Sequence, residues 1–202
     1  MKGIKHLSTS NEIKIASNLP NSRSKIFLES RAYIRESLST LFNLNPLEIP
    51  LIANPGEPPI LPKGMGNISI SHCKDALIVT WHKDKIGIDI ERSDRQFNYQ
   101  DLAKKYFSKK EQNKNPNTID KSEVLNEWSA IEAAIKWDKG KLAKDMRNWK
   151  YEKSKSFLFN VSKKLKLKLK QFYFLDWTIS IALKNQENHH FPEIICSHLY
   201  KS

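Results

Sequence analysis

The spacing of apolar residues along the chain predicts two long helices. Residues 21–42 place four apolar side chains on one face at helical spacing: Phe27, Ile34, Leu38 and Leu41. Residues 123–137 keep the i, i+4, i+7, i+11 rhythm of a buried stripe at Val124, Trp128, Ile131 and Ile135. Residues 99–110 predict a shorter helix between them.

Alternation of apolar and polar residues predicts strands after each long helix. Three β-like runs, 67–71, 75–81 and 85–91, predict a small antiparallel meander. In residues 163–177 leucines alternate with lysines, and the apolar run 177–183 follows, so we expect a second meander there. The order helix, strands, helix, strands indicates an α+β fold with two related halves, each a small antiparallel sheet with a packed helix.

Residues 46–66 interrupt this regular pattern. They contain six prolines and three glycines, which exclude a regular helix and indicate a long structured loop. Loops of this length within a compact domain tend to be functional.

The composition adds a strong charge signal to this outline. The chain of 202 residues is 39% hydrophobic and carries a formal net charge of +12. A basic surface attracts anionic partners, which here include nucleic acid, an anionic membrane, a phosphate-rich cofactor or an acidic protein. Charge does not rank these partners, and lysines that only solvate the surface would give the same composition.

Membrane and secretory signals are missing from the sequence. No apolar run approaches the roughly 20 residues of a membrane span, and the first 17 residues are too polar for a signal peptide. We therefore expect a cytoplasmic protein without a membrane partner. Cys73 and Cys196 lie far apart and outside any C-x-x-C pattern, which argues against a disulfide framework or a zinc site.

The first candidate site is the run 87–91, Gly-Ile-Asp-Ile-Glu. On a strand, Asp89 and Glu91 share one face at about 7 Å along the backbone. Two carboxylates on one strand face repel each other unless a cation, a basic partner or water offsets their charge. A hard divalent ion such as Mg²⁺ takes oxygen ligands and bridges carboxylates to phosphates.

Two further segments carry polar groups suited to the same chemistry. Glu132 and Lys136 lie one turn apart on the second long helix, where they offer a carboxylate and a cation that pairs with phosphate. An ordinary surface ion pair is the alternative for these two residues. Ser71 and His72 end a predicted strand, and His72 can pair with a phosphate when protonated or donate a hydrogen bond when neutral.

In this order the segments resemble the Sfp-like 4′-phosphopantetheinyl transferase family. The resemblance rests on Gly56-Glu57-Pro58 with Leu61-Pro62, on SISHC at 69–73, on GIDIE at 87–91 and on WSAIEAAIK at 128–136. The segment SRSKIFLESRAYIR at 22–35 is similar to the basic N-terminal helix of the family. Two positions depart from the family pattern: Glu57 stands where Lys or Arg is usual, and Ile131 stands where Lys is usual.

The resemblance implies a fold and a set of site residues. The fold is a pseudo-twofold pair of α+β subdomains, which we place at residues 1–93 and 94–202, with coenzyme A bound in the cleft between them. The implied metal ligands are Asp89, Glu91 and Glu132. The residues implied to contact the cofactor, chiefly through its phosphates, are Ser71, His72, Lys136 and Arg23 or Arg31.

The resemblance also implies a reaction. A serine hydroxyl of an acyl or peptidyl carrier protein attacks the β-phosphate of coenzyme A, which breaks the pyrophosphate bond and releases 3′,5′-adenosine bisphosphate. The implied metal is Mg²⁺ or Mn²⁺, and the implied enzyme is a monomer. Catalytic roles fall to Glu132 as proton acceptor and to Lys136 and His72. We interpret Ile131 as an extension of the buried stripe, whereas loss of positive charge at Glu57 and Ile131 leaves open a family member that binds coenzyme A without turnover.

A rival hypothesis comes from the lysine-rich segment near the C-terminus. A nucleic-acid-binding module could use its clustered lysines together with nearby aromatic residues: Lys163, Lys164, Lys166, Lys168, Lys170, Phe172 and Tyr173. Charge alone, however, does not explain the paired carboxylates of GIDIE. We therefore expect no nucleic-acid partner.

Overall fold

The computed structural model describes residues 7–52, 57–73, 75–107 and 120–184, and the backbone of 193–199. Within these residues the α-helices are α1 (Ser10–Ser17), α2 (Asn21–Phe42), α3 (Tyr99–Tyr106), α4 (Lys121–Trp137) and α5 (Leu142–Asp145). The strands are β1 (Asn67–His72), β2 (Ala76–His82), β3 (Ile86–Arg92), β4 (Trp149–Glu152), β5 (Phe157–Asn160), β6 (Leu165–Phe174), β7 (Trp177–Lys184) and β8 (Glu193–Leu199). Short 3-10 helices cover Pro46–Glu48, Met146–Asn148 and Lys153–Lys155.

The strands form two antiparallel sheets, which together with the helices confirm the predicted α+β class. The smaller sheet has the order β1-β2-β8, and the larger has the order β3-β7-β6-β5-β4. The predicted meander of the first three strands is wrong, because β3 pairs with β7 rather than with β2. Both edges of β2 are already paired, one with β1 and the other with β8, so no edge is left for β3.

Three apolar clusters hold the sheets and the two long helices together. Helix α2 packs Ile34 and Leu38 on β2, while Ile78 of β2 meets Ile88 of β3 in a core between the sheets. Helix α4 covers the other face of the larger sheet, where fifteen buried residues form one cluster. Most of the apolar stripe predicted for α4 is therefore buried as expected, Ile131 at 1% exposure.

Gly87 sets how closely α4 approaches β3. A Cβ built on Gly87 would lie 1.9 Å from the carbonyl oxygen of Ala133, so any larger residue would push the helix away. Glu132 and Lys136 flank this contact along the helix, and Asp89 follows Gly87 on the same strand face. The close contact therefore positions the helix carboxylate and the strand carboxylate against each other.

Helix α1 corrects the expectation for the arginines of α2. Arg31 and Arg35 lie one turn apart on α2, a spacing that predicts a cationic ridge or a solvated flank, but they are only 6% and 3% exposed. The reason is α1, whose residue Glu12 forms an ion pair with Arg35 at 3.1 Å. A helix that packs on this face of α2 replaces solvent with protein.

The proposed division of the chain at residue 93 stays a prediction. Hydrogen bonds between strands cross this division twice, since β3 joins the larger sheet through β7 and β8 joins the smaller sheet through β2.

None of the helices in the described ranges is both long and apolar enough to cross a membrane. The predicted helix at 99–110 is seen as α3, and its last three residues lie outside the described ranges.

Candidate active site

Three carboxylates converge where α4 crosses β3. Asp89 and Glu91 come from alternate positions of the strand, and Glu132 comes from the helix. One ligand oxygen from each lies within 4.8 Å of the others. The sequence-based set of metal-ligand candidates is thus brought together in space, although Glu132 comes 41 residues after Glu91 along the chain.

Asp89 is the most deeply buried member of this cluster, at 1% exposure. Its Oδ1 accepts hydrogen bonds from Ser71 Oγ at 2.8 Å and from Lys136 Nζ at 2.8 Å. Its Oδ2 is buried and has no hydrogen-bond partner among the described residues. Burial works to raise the pKa of Asp89, but the charge of Lys136 and hydrogen bonds from Glu132, Lys136 and Ser71 hold it below its usual range.

The same surroundings raise the pKa of Glu132, whereas they lower that of Asp89. Burial raises the pKa of Glu132 to about 9, and the negative charge of Asp89 adds to the rise. In the absence of a bound cation, Glu132 is therefore a neutral acid at pH 7. The cluster keeps a proton at the position where a cation would otherwise balance the charge.

Glu91 is held by two residues that the sequence analysis did not assign to the site. Its Oε1 accepts a hydrogen bond from the indole Nε1 of Trp128 at 3.2 Å and a second from Nη1 of Arg95. Burial and the Asp89 charge raise the pKa of Glu91, and Arg95 and Trp128 oppose this rise. The apolar stripe predicts only a packing role for Trp128, which does pack edge-on to Tyr106 but also holds the Glu91 carboxylate in place.

Lys136 joins the two sheets at the site. Its Nζ lies 2.7 Å from Ser71 Oγ and 2.8 Å from Asp89 Oδ1, and its side chain remains 32% exposed. Ser71 belongs to β1 of the smaller sheet, which is tied to β3 by a hydrogen bond from the Ile88 amide to Ser69 Oγ at 3.1 Å. The alternative of an ordinary surface ion pair between Lys136 and Glu132 is therefore not what the structure contains, because Lys136 pairs with Asp89.

A large cleft lies beside the carboxylates. Its volume is about 1230 Å³, and its walls come from the start of α2, the β1–β2 turn and the end of β3. The lining residues include Ser22, Lys25, Ile26, His72, Cys73, Glu91, Arg92 and Arg95. A cleft of this size accommodates a nucleotide-sized ligand.

His72 stands on the wall of this cleft at the last position of β1. Desolvation lowers the pKa of His72, and the positive charge of Lys136 lowers it further, whereas Asp89 opposes the shift. The imidazole is therefore neutral at pH 7 in the free protein. It can donate or accept a hydrogen bond toward a ligand in the cleft.

The two candidate arginines of α2 differ in position. Arg31 is buried, lies over the ring of Phe27 at 4.5 Å and donates to Ser30 Oγ, so the structure does not bring it to the carboxylates. Arg23 is exposed on the first turn of α2, between Ser22 and Lys25 of the cleft wall. Assignment of either arginine to a phosphate remains a prediction.

The two departures from the family pattern also have different surroundings. Ile131 is 1% exposed within the core under α4, which confirms its interpretation as part of the buried stripe. A lysine at this position would have to leave the core or bury its charge. Glu57 is exposed in the long loop, and its motif neighbour Gly56 lies outside the described residues.

The donor set fits a hard divalent cation. Three carboxylates supply oxygen ligands of the kind that Mg²⁺ and Mn²⁺ prefer. The raised pKa of Glu132 indicates that the neighbouring cations do not offset the charge of three ionised carboxylates.

Comparison with known proteins agrees with this chemistry. The family model of the 4′-phosphopantetheinyl transferase superfamily matches residues 85–191, which is more than half of the 202-residue chain. The match contains β3 with Asp89 and Glu91 and the whole of α4 with Glu132 and Lys136. No curated protein matches the chain. The chain therefore belongs to the 4′-phosphopantetheinyl transferase superfamily.

Proposed function

We propose that this protein transfers the 4′-phosphopantetheine group of coenzyme A to a serine of an acyl or peptidyl carrier protein, with Mg²⁺ as the required ion and Mn²⁺ as an accepted substitute. The observation that carries the proposal is the convergence of Asp89, Glu91, Glu132 and Lys136 beside a large cleft. Superfamily membership supports phosphopantetheine transfer as the reaction class.

Asp89, Glu91 and Glu132 are the proposed ligands of the divalent ion. When bound there, the ion offsets the negative charge that develops on the phosphoryl oxygens during transfer. Trp128 and Ser71 keep two of the three carboxylates in place, so the ligands need little reorganisation before binding.

Lys136 and His72 are the proposed contacts to the phosphates of coenzyme A. The ammonium of Lys136 is one-third exposed, so it can reach a ligand while it still neighbours Asp89. A phosphate is a stronger hydrogen-bond acceptor than the hydroxyl of Ser71, and charge-assisted bonds are about twice as strong as neutral ones. The neutral imidazole of His72, which lines the cleft, supplies a further donor.

Glu132 is the proposed acceptor for the proton of the serine hydroxyl, directly or through a water molecule. A carboxylate whose pKa is raised above its ordinary value holds a proton more strongly, which suits a general base. Glu132 must be ionised to act, and positive charge close to it favours that form. The roles of ion ligand and proton acceptor therefore depend on the same charge balance.

The basic surface suits an acidic carrier protein. The net charge of +12 raises the rate of encounter with a partner of opposite charge. On β6 the side chains of Lys166, Lys168 and Lys170 are exposed while Leu167 and Leu169 are buried, in agreement with the predicted alternation. A cytoplasmic location and a monomeric state remain parts of the proposal.

Intact-mass spectrometry tests the proposal directly. An apo acyl carrier protein is incubated with the protein, coenzyme A and Mg²⁺, and a parallel sample contains EDTA. We expect the carrier to gain the mass of one phosphopantetheine group only when the ion is free to bind. Exposed Glu36 on α2 offers a matched control, because Glu36→Gln removes a carboxylate away from the cluster.

Other outcomes of this assay separate the alternatives. Binding of coenzyme A without any mass gain across several carriers would favour a family member that binds the cofactor without turnover. Salt-sensitive binding of nucleic acid with neither transfer nor coenzyme A binding would favour the nucleic-acid module.

A further inference from the structure

Arg95 lies at the site although no motif of the sequence pointed to it. The chain turns sharply after β3, with the Arg95 amide bonded to the Arg92 carbonyl at 3.1 Å. This turn returns the side chain of Arg95 toward the strand that it has just left, where Nη1 donates to Glu91 Oε1. Arg95 also lines the cleft and lies over the ring of Phe97 at 5.6 Å.

The hydrogen bond from Trp128 can hold the Glu91 carboxylate in position without the hydrogen bond from Arg95. Glu91 Oε1 accepts from the indole Nε1 as well as from the guanidinium, and Trp128 is anchored in the core under α4. The Glu91 side chain is 10% exposed, whereas the Arg95 side chain is 43% exposed. The outer partner of this pair is therefore able to move while the inner partner stays in place.

Binding of a cation to the cluster would change the electrostatic forces on Arg95. In the free protein Lys136 balances Asp89, and Arg95 balances Glu91. A divalent ion bound to the carboxylates would compete with Arg95 for the charge of Glu91 and would repel the guanidinium. A guanidinium displaced within the cleft meets phosphate groups there, and the fork of an arginine matches a phosphate in two parallel hydrogen bonds.

We propose that Arg95 is a further substrate-binding residue that exchanges partners. It pairs with Glu91 in the free protein and transfers to a phosphate oxygen of coenzyme A when the divalent ion takes Glu91. This inference rests on the proposed function for the identity of the ligand. No covalent step is involved, only an exchange of ion pairs.

Binding measurements on Arg95→Ala test the exchange without any need for turnover. The first titration adds Mn²⁺ alone and follows free Mn²⁺ by electron paramagnetic resonance. Removal of the competing cation should tighten Mn²⁺ binding about threefold to tenfold, as expected for the loss of a partly exposed ion pair. The second titration adds coenzyme A in the presence of Mn²⁺ and measures heat, and here binding should weaken about tenfold.

Arg147→Ala is the matched control, because Arg147 is an exposed arginine on a 3-10 helix after α5 and its removal changes the net charge equally. Neither affinity should change in this variant. Arg95→Lys keeps the charge but not the fork, so it should restore Mn²⁺ binding to the wild-type value and recover only part of the coenzyme A affinity.

Two results would overturn the inference. If Arg95→Ala weakens both affinities, the arginine serves to hold Glu91 in place and does not exchange. If both affinities stay at wild-type values while the wild type binds coenzyme A, Arg95 takes no part in binding and the proposed function is untouched. Failure of the wild type to bind coenzyme A at all would reject the proposed function together with this inference.

Discussion

Charged side chains are buried in two regions of this molecule, and the two regions differ in how completely those charges are paired. Under α1, Arg35 donates to both oxygens of Glu12 through Nε and Nη2, and its Nη1 reaches the carbonyls of Pro46 and Ile49. Where α4 crosses β3, three carboxylates meet one partly buried lysine and one partly exposed arginine. Among the described residues Asp89 Oδ2 has no hydrogen-bond partner, and burial together with the charge of Asp89 raises the pKa of Glu132 to about 9.

The difference separates a structural charge pair from a site that is prepared for a ligand. Arg35 and Glu12 satisfy each other, so no ligand is needed to complete the pair. The carboxylate cluster carries excess negative charge that the fold tolerates by protonating Glu132. Perturbed and incompletely paired groups of this kind are typical of functional sites.

The largest expected effect is on catalysis at the cluster. Asp89→Asn keeps the shape of the side chain but removes the charge that a divalent ion needs, so the initial rate of transfer should fall ~10²- to 10³-fold or more. The melting temperature should stay close to that of the wild type, because Lys136 remains partly exposed to solvent. The mass-spectrometric assay gives the rate, with Glu36→Gln as the control variant.

A stability effect of similar size is expected at the other region. Glu12→Gln leaves the charge of Arg35 buried and uncompensated, which costs about 3–5 kcal/mol when a buried pair is broken. The corresponding fall in melting temperature is at least about 6 °C for a chain of this size. Differential scanning calorimetry measures this fall, and the transfer rate of the folded variant at low temperature should be unchanged. A loss of transfer without a loss of stability would erase the distinction between the two regions.

A smaller effect with a definite pH dependence is expected for Glu132→Gln. Because the pKa of Glu132 is raised in the folded protein from 4.5 to about 9, its proton stabilises the fold fully below about pH 4.5, and this contribution is lost as the pH rises toward 9. Glutamine mimics the protonated acid at every pH. In EDTA, the variant should therefore melt at least about 2–4 °C above the wild type at pH 9, and the gap should close toward pH 5.

Excess Mg²⁺ provides the control for this comparison. The ion should raise the melting temperature of the wild type at pH 8 through preferential binding to the folded state, and it should have little effect on Glu132→Gln. A gap between the two proteins that does not vary with pH would show that Glu132 is not the group that holds the extra proton.

The long periodic segments and the motif residues could be predicted from the sequence, but the way strands pair could not. The stripes of α2 and α4 have helical spacing over about three to four turns, and the structure gives the same elements. Strands β4 and β5 have four residues each, which is too short for alternation to be distinguished. The partner of β3 depends on which strand edges remain open after β8 has joined β2. The alternation of apolar and polar residues within a strand does not show which other strand it pairs with.

The features of the two charged regions that the sequence did not predict all depend on tertiary contacts. Burial of Arg31 and Arg35 depends on α1, a helix that is absent from the sequence-based prediction, although the capping box of Thr9 and Glu12 at its start is a sequence signal for a helix N-terminus. Trp128 and Arg95 reach Glu91 from a helix and from a turn after β3. Their roles follow from the close contact at Gly87 and from the turn geometry, neither of which residue spacing reveals.

Titration with Mn²⁺ tests the central claim, that the unbalanced carboxylate cluster is a divalent-ion site. Electron paramagnetic resonance of free Mn²⁺ is followed for the wild type, Asp89→Asn and Glu12→Gln. The account predicts one bound ion per chain for the wild type and for Glu12→Gln, and a loss of this binding in Asp89→Asn. Absence of binding to the wild type, or equal binding to Asp89→Asn, would contradict it.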